Sequence, residues 1–232
     1  MSAKQVTIEV DKTHTVSGLM LVPERPFACY VLAHGAGAGM THPFMSAVAD
    51  GLNERGMATL RYQFPYMQDG SRRPDRPPLA HATVRAAVAT AARLTPGLLL
   101  FAGGKSFGAR MTSQAQAADA LPNVVGLAFI GFPLHPAGKP SDDRAAHLSE
   151  VRIPMLFLQG TRDALADQQV LAGVLEGLST RATSHLVAHA DHSFHVPVRS
   201  GTTDRQVLAE IPDILAKWAR RICRASDAAN RA

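Results

Sequence analysis

The chain has 232 residues, and its 46% hydrophobic content is enough for the core of one large domain, so a single domain over residues 1–232 is expected. Its net charge of +5 comes from scattered Lys and Arg side chains and not from a basic stripe with interleaved aromatic residues, which argues against a nucleic-acid partner. The sequence has two cysteines, no apolar leader and no uncharged span near the ~20 residues of a membrane helix. We therefore expect a cytoplasmic protein with reduced thiols and no membrane partner.

Hydrophobic periodicity predicts strands and helices in alternation along the chain. Residues 6–10 alternate and residues 17–23 follow after a polar break, which indicates an antiparallel pair at one sheet edge. Further strands are predicted over residues 27–33, 57–65, 98–102, 124–130, 155–159 and 183–188. Helices are predicted over residues 43–55, 79–94, 107–120, 167–178 and 204–224, with a long loop over 66–78 and a frayed tail over 225–232.

Apolar strands that alternate with helices predict an α/β fold: βαβ units in a twisted, mostly parallel sheet with helices on both faces. In such sheets functional groups gather at the carboxyl ends of the strands. Residues 131–154, between two predicted strands, are too few for a helical cap domain. The sequence therefore predicts one α/β domain with a shallow, uncapped pocket.

The predicted strand at residues 98–102 leads into a glycine-rich corner and then a helix, with Ser106 between Gly104 and Gly108 in a G-x-S-x-G pattern. A strand–turn–helix of this kind lifts the serine hydroxyl out of the sheet, and the glycines are needed where a Cβ would collide across the turn. A glycine-rich turn with an incidental serine is the alternative, because both residue types are common.

Ser106, Asp163 and His192 each follow a predicted strand, in the chain order Ser, Asp, His that is typical of α/β-hydrolases. A helix-capping aspartate is the alternative interpretation of Asp163, and Asp167, at the start of a helix, is expected to be such a cap. Other histidines near the end of the chain compete with His192 for the role of base: His185, His189 and His195.

Six short stretches match a known family: HGAG at 34–37, RYQFPY at 61–66, GGKSFGAR at 103–110, GFPLHP at 131–136, GTRD at 160–163 and DHSF at 191–194. The chain resembles the small, lidless α/β-hydrolases of dienelactone-hydrolase-like type. Within them it looks closest to the hydrolase-like module shared by bacterial proteins, a subunit of the NSL chromatin complex and a testis-expressed protein. The resemblance implies the hydrolase fold and a triad of Ser106, Asp163 and His192, but no substrate, since fold alone does not determine function.

In such a triad His192 would accept the serine proton and return it to the leaving group, while Asp163 fixes the imidazole tautomer. The oxyanion hole would use the N–H of Phe107, which follows the nucleophile, and the N–H of Ala36 in the loop after the third strand. A glycine-rich turn without a ligand is the alternative for residues 35–37.

Residues near these loops are candidates to bind the substrate: Gly35, Gly37, Phe64, Tyr66, Phe132 and His135. Lys105 and Arg110 flank the serine and would attract an anion, although charged residues in such places more often form local ion pairs or face solvent. No His/Cys cluster has metal-ligand spacing, and residues 103–106 lack the glycine that opens a phosphate loop, so no metal or cofactor is expected.

These patterns favour a serine hydrolase that acts on an ester or thioester of a small to medium acyl substrate. Two alternatives stay open: acyl transfer to an acceptor other than water, and a binding or scaffolding module without turnover. The arginine-rich loop at residues 72–76 would be the contact surface of such a module, but nothing else in the sequence supports a protein partner.

Overall fold

The computed structural model describes residues 2–229, in which eight strands form one sheet. The strands are β1 (Lys4–Glu9), β2 (Thr15–Leu21), β3 (Ala28–Ala33), β4 (Met57–Tyr62), β5 (Leu99–Lys105), β6 (Val124–Ile130), β7 (Met155–Gly160) and β8 (Ala182–Val187). The α-helices are α1 (Pro43–Glu54), α2 (Pro65–Gln68), α3 (Pro77–Leu94), α4 (Phe107–Ala118), α5 (Gln168–Leu178) and α6 (Asp204–Ala229). Three 3₁₀ helices occupy Asp143–Glu150, Ser179–Arg181 and Val198–Ser200.

The strand order is β1-β2-β4-β3-β5-β6-β7-β8. Strands β3 to β8 are parallel, whereas β2 is antiparallel to both of its neighbours, β1 and β4. Every residue of β3, β4 and β7 is buried, as expected for parallel strands covered on both faces. The predicted α/β fold, a single domain with a mostly parallel sheet and an antiparallel pair at one edge, is confirmed.

The two faces of the sheet form two separate hydrophobic clusters. Helices α3, α4 and α5 pack on one face with Leu100 of β5, whereas α1 and α6 pack on the other with its neighbour Phe101. Phe101 contacts Trp218 of α6 at 5.4 Å between ring centroids. Because successive side chains of a strand point to opposite faces, a single apolar run supplies both layers of the core.

Three segments differ from the prediction. Helix α2 lies where the end of a strand and a loop were expected, and the 3₁₀ helix at Asp143–Glu150 lies where no element was predicted. Elements this short leave little periodic pattern to detect. Helix α6 continues to Ala229, since residues 225–229 include neither Gly nor Pro to stop it. The remainder of the predicted tail, residues 230–232, lies outside the described residues.

Cys29 is buried and Cys223 is half-buried, and neither forms a disulfide within the described residues. Across the same residues, no helix has the length and apolar character needed to span a membrane.

Candidate active site

Ser106 is the single residue between the end of β5 and the start of α4, and its backbone has φ 50° and ψ −111°. An L residue seldom adopts a positive φ, so this backbone is strained, as in a nucleophile elbow. The flanking glycines make the turn sterically feasible. A Cβ on Gly104 would overlap the carbonyl oxygen of Ala33, and a Cβ on Gly108 would lie 2.6 Å from the Ala33 Cβ. The turn therefore packs directly on the end of β3.

The structure brings Ser106, His192 and Asp163 together in one hydrogen-bonded series. His192 Nε2 lies 2.8 Å from Ser106 Oγ, and His192 Nδ1 lies 2.7 Å from Asp163 Oδ2. The Asp163 side chain is fully buried, whereas that of His192 is 25% exposed. When Nδ1–H donates to the carboxylate, the lone pair on Nε2 faces the serine hydroxyl, which is the geometry that general-base catalysis needs.

Gln159, near the end of β7, orients the acid. Its Nε2 donates to Asp163 Oδ2 at 2.5 Å, and its Oε1 accepts the N–H of Phe132 at 2.8 Å. The N–H of Leu165 donates to Asp163 Oδ1 at 2.8 Å. Both carboxylate oxygens thus have protein donors. Sequence reasoning missed Gln159, and its only signal was one polar side chain in an otherwise apolar strand.

The N–H groups expected to bind an oxyanion lie beside the serine. Phe107 is the first residue of α4, so its N–H has no acceptor within the helix. Ala36 lies in the loop after β3 and lines the same cavity as Ser106. One group comes from the start of α4 and the other from the loop after β3, which is the arrangement expected of an oxyanion hole of this type.

His34 fixes the loop that contains Ala36. Its Nδ1 donates to the Gly35 carbonyl at 2.8 Å, and its Nε2 accepts the Phe64 N–H at 3.1 Å, so the imidazole is neutral. Burial lowers the pKa of His34 to about 4, which keeps it neutral at physiological pH.

A cavity of about 380 Å³ opens over Ser106 and His192. This volume lies near the lower end of the range for small-molecule sites. One wall is apolar, formed by Phe44, Met45 and Leu165. The remaining lining residues are Gly35, Ala36, Ala38, His42, Lys105 and Ser193. Sequence reasoning missed the apolar wall. Phe44 and Met45 belong to α1, which comes close to the serine only through the tertiary fold.

Among the candidate substrate-binding residues, only Gly35 lines this cavity, and the prediction for the others is not supported: Gly37, Phe64, Tyr66, Phe132 and His135 are not among its lining residues. Phe64 and Phe132 are fully buried in the core, and Phe64 packs on Phe107 at 5.2 Å between ring centroids. The Tyr66 hydroxyl accepts the Gly37 N–H at 3.3 Å.

His135 is also buried, and its ring connects two loops. Its Nδ1 lies 2.9 Å from the Pro136 carbonyl oxygen, and its Nε2 accepts the Asp167 N–H at 2.8 Å. The imidazole therefore links the loop after β6 to the start of α5.

Two of the three competing histidines pair with carboxylates elsewhere. His185 pairs with Glu210 at 2.7 Å, and His195 pairs with Asp204 at 2.8 Å. The Asp167 carboxylate accepts the N–H groups of residues 169 and 170 and so caps α5, as predicted. Within residues 2–229, no group of three or more His, Cys, Asp or Glu side chains could hold a metal ion.

Comparison with known proteins places the chain in a family. Residues 26–220 match the model of a family described as an alpha/beta hydrolase domain. A dienelactone hydrolase from Anabaena variabilis is 21% identical with a TM-score of 0.75, over 95% of this chain and 97% of that one. A lidless α/β serine hydrolase from Xanthomonas campestris is 21% identical with a TM-score of 0.71, over 95% of each chain. An esterase domain from Rhodothermus marinus is 18% identical with a TM-score of 0.72, over 95% of this chain and 99% of that one. These likenesses show the same fold, and with the family match they establish that the chain belongs to the α/β-hydrolase family.

Proposed function

We propose that the protein is a serine hydrolase that cleaves an ester or thioester of a small to medium acyl substrate through an acyl-serine intermediate. The proposal rests on one observation, the hydrogen-bonded series from Ser106 Oγ through His192 to Asp163 at 2.8 and 2.7 Å. The structural neighbours described as a serine hydrolase and an esterase domain support the same reaction class.

In the first half of the reaction, Ser106 Oγ attacks the acyl carbonyl carbon while its proton passes to His192 Nε2. Asp163 stabilises the resulting imidazolium, and the N–H groups of Phe107 and Ala36 stabilise the tetrahedral oxyanion. Collapse of this intermediate breaks the bond to the alcohol or thiol, which takes the proton from His192. The products of this half are the free alcohol or thiol and an acylated Ser106.

In the second half, His192 takes a proton from water, and the hydroxide oxygen adds to the acyl carbon. Collapse then releases the carboxylic acid as the proton returns to Ser106 Oγ. The cavity volume of about 380 Å³ and its apolar wall suit a short or medium acyl chain. No cofactor enters this scheme.

Turnover of p-nitrophenyl acetate and of a short-chain acyl thioester tests the proposal. We expect wild-type protein to hydrolyse at least one of them, and Ser106→Ala to lose roughly 10⁴-fold or more of that rate, as in other triads. Ser184→Ala is the matched control, because Ser184 is an exposed serine on the edge strand β8. Equal rates for Ser106→Ala and wild type would overturn the proposal.

The same experiment separates the alternatives. A folded wild-type protein that turns over neither ester nor thioester would favour the non-catalytic module. Transfer of the acyl group to an added alcohol or amine in preference to water, detected by product analysis, would instead identify an acyltransferase.

A further inference from the structure

Lys105 is the last residue of β5, and its ammonium contacts the loop that contains His192. Its Nζ donates to the His192 carbonyl oxygen at 2.6 Å and lies 5.5 Å from the centroid of the Phe194 ring. On the other side, a Cβ on Gly131 would lie 2.9 Å from Nζ. The ammonium therefore occupies a confined space among the ends of β5 and β6 and the loop after β8.

This environment differs from the local ion pair or solvent exposure expected for a charged residue next to the serine. Within the described part of the chain, no carboxylate lies within 4.0 Å of Nζ. Burial lowers the pKa of Lys105 to about 8, although attraction from Asp163 and Asp191 acts in the opposite direction. The side chain is thus mostly cationic at pH 7.

The loop after β8, which Lys105 contacts, contains a residue with an unusual backbone conformation. Phe194 has φ 66°, a strained value for an aromatic residue. The Asp191 carboxylate accepts the N–H groups of Ser193 and His195 at 2.8 and 2.9 Å and so fixes the outer side of the loop. In the same loop, Lys105 donates a hydrogen bond to the carbonyl of His192 itself.

We propose that Lys105 is a positioning residue for the base: its hydrogen bond to the His192 carbonyl holds the backbone so that Nε2 faces Ser106. The proposal rests on the proposed function for its kinetic consequences, but the hydrogen bond acts on His192 whether or not turnover occurs.

Lys105→Met and Lys105→Arg test this, since Met lacks the charge and the donors and Arg retains both. We expect kcat/KM for p-nitrophenyl acetate to fall ~10-fold in Lys105→Met, because the base is less well held. Lys105→Arg should restore most of the wild-type value, because it keeps a donor for the His192 carbonyl. Lys139→Met, at an exposed lysine in the loop after β6, is the matched control and should leave kcat/KM unchanged.

An unchanged kcat/KM in Lys105→Met would overturn the proposal, as would an equal loss in the Met and Arg variants, because the effect would then not depend on a hydrogen-bond donor at this position. If Lys105→Met does not fold, Lys105→Gln takes its place, since its amide ends one bond short of the ammonium. The NMR chemical shift of the His192 Nδ1–H proton reads the position of the ring without turnover; it should change in Lys105→Met and return in Lys105→Arg. A folded wild type without turnover would therefore refute the proposed function, while the NMR comparison would still decide the role of Lys105.

Discussion

Asp163 shows how much of the site depends on hydrogen bonds made by single side chains. Its Oδ1 accepts from the N–H of Leu165, and its Oδ2 accepts from both Gln159 and His192. With the carboxylate fixed in this way, the proton on His192 is held on Nδ1, and Nε2 is left as the acceptor.

We expect Asp163→Asn to remain folded and to lose up to ~10⁴-fold of its esterase turnover, because the amide would stabilise the wrong imidazole tautomer. Asp167→Ala is the matched control, since Asp167 caps α5, and its loss should cost ~1 kcal/mol of stability and little activity. Steady-state kinetics and thermal unfolding of both variants measure the two effects. A folded but inactive Asp167→Ala protein would mean that the acid has been assigned to the wrong residue.

The proximity of Ser106, Asp163 and His192 could be anticipated because each follows a strand whose carboxyl end lies at the same edge of the sheet. The hydrogen bonds of Gln159 and Lys105 could not. A polar side chain near a strand end can point to either face, and its partner depends on which strand lies next to it. Position in the sequence alone shows neither the face to which the side chain points nor the strand that lies next to it.

At the level of elements, α1 and α6 approach most closely where a glycine faces a proline. A Cβ on Gly51 of α1 would lie 2.6 Å from Cγ of Pro212 in α6. The proline ring is rigid, so it cannot move aside as a flexible side chain would. This contact fixes the spacing of the two helices that cover one face of the sheet.

Gly51→Ala should therefore lower the free energy of unfolding by about 1–3 kcal/mol, the usual cost of overpacking, although alanine is the better helix former. Gly173→Ala in α5 provides the contrast, because nothing lies within 4 Å of its added Cβ. That variant should gain up to ~1 kcal/mol. Urea denaturation measures both, and stabilisation by both substitutions would show that α1 and α6 separate easily.

Elements with strong periodicity could be predicted from the sequence. The prediction for β6, residues 124–130, coincides with the observed strand, and that for α1 extends one residue too far. The 3₁₀ helix at Asp143–Glu150 could not be foreseen, because it is defined by its packing on α4. His147 of this helix bonds Ser113 of α4 at 2.8 Å between Nε2 and Oγ.

For the whole molecule, the buried His34 and the half-buried His147 make stability depend on pH. Burial lowers the pKa of both His34 and His147 to about 4, and Arg110 adds to the effect at His147. The unfolded chain takes up these protons near pH 6.5, before the folded protein does. The stability that these groups contribute is therefore complete above pH 6.5 and is lost as the pH falls through 4.

We expect the free energy of unfolding to decrease between pH 6.5 and pH 4, and to decrease less steeply in His147→Gln, which removes one of the two groups. His189→Gln is the control, because His189 is exposed. Chemical denaturation at several pH values gives the slopes. Identical slopes for wild type and His147→Gln would show that His147 is protonated in the folded state.

The strand order could be predicted only in part. The antiparallel pair and the parallel remainder follow from the sequence patterns, but the position of β4 between β2 and β3 does not. Every buried parallel strand has a similar apolar pattern, so periodicity does not specify neighbours. The same limit explains why the contribution of α1 to the cavity wall appears only in the folded molecule.

The central claim is that Ser106 is the nucleophile, and reaction with a fluorophosphonate followed by mass spectrometry tests it most directly. Such a reagent modifies a serine only where a neighbouring base activates it. We expect one adduct per chain, located on the tryptic peptide that contains Ser106, and no adduct on Ser106→Ala. A folded wild-type protein that remains unmodified, or an adduct on a different serine, would contradict the assignment.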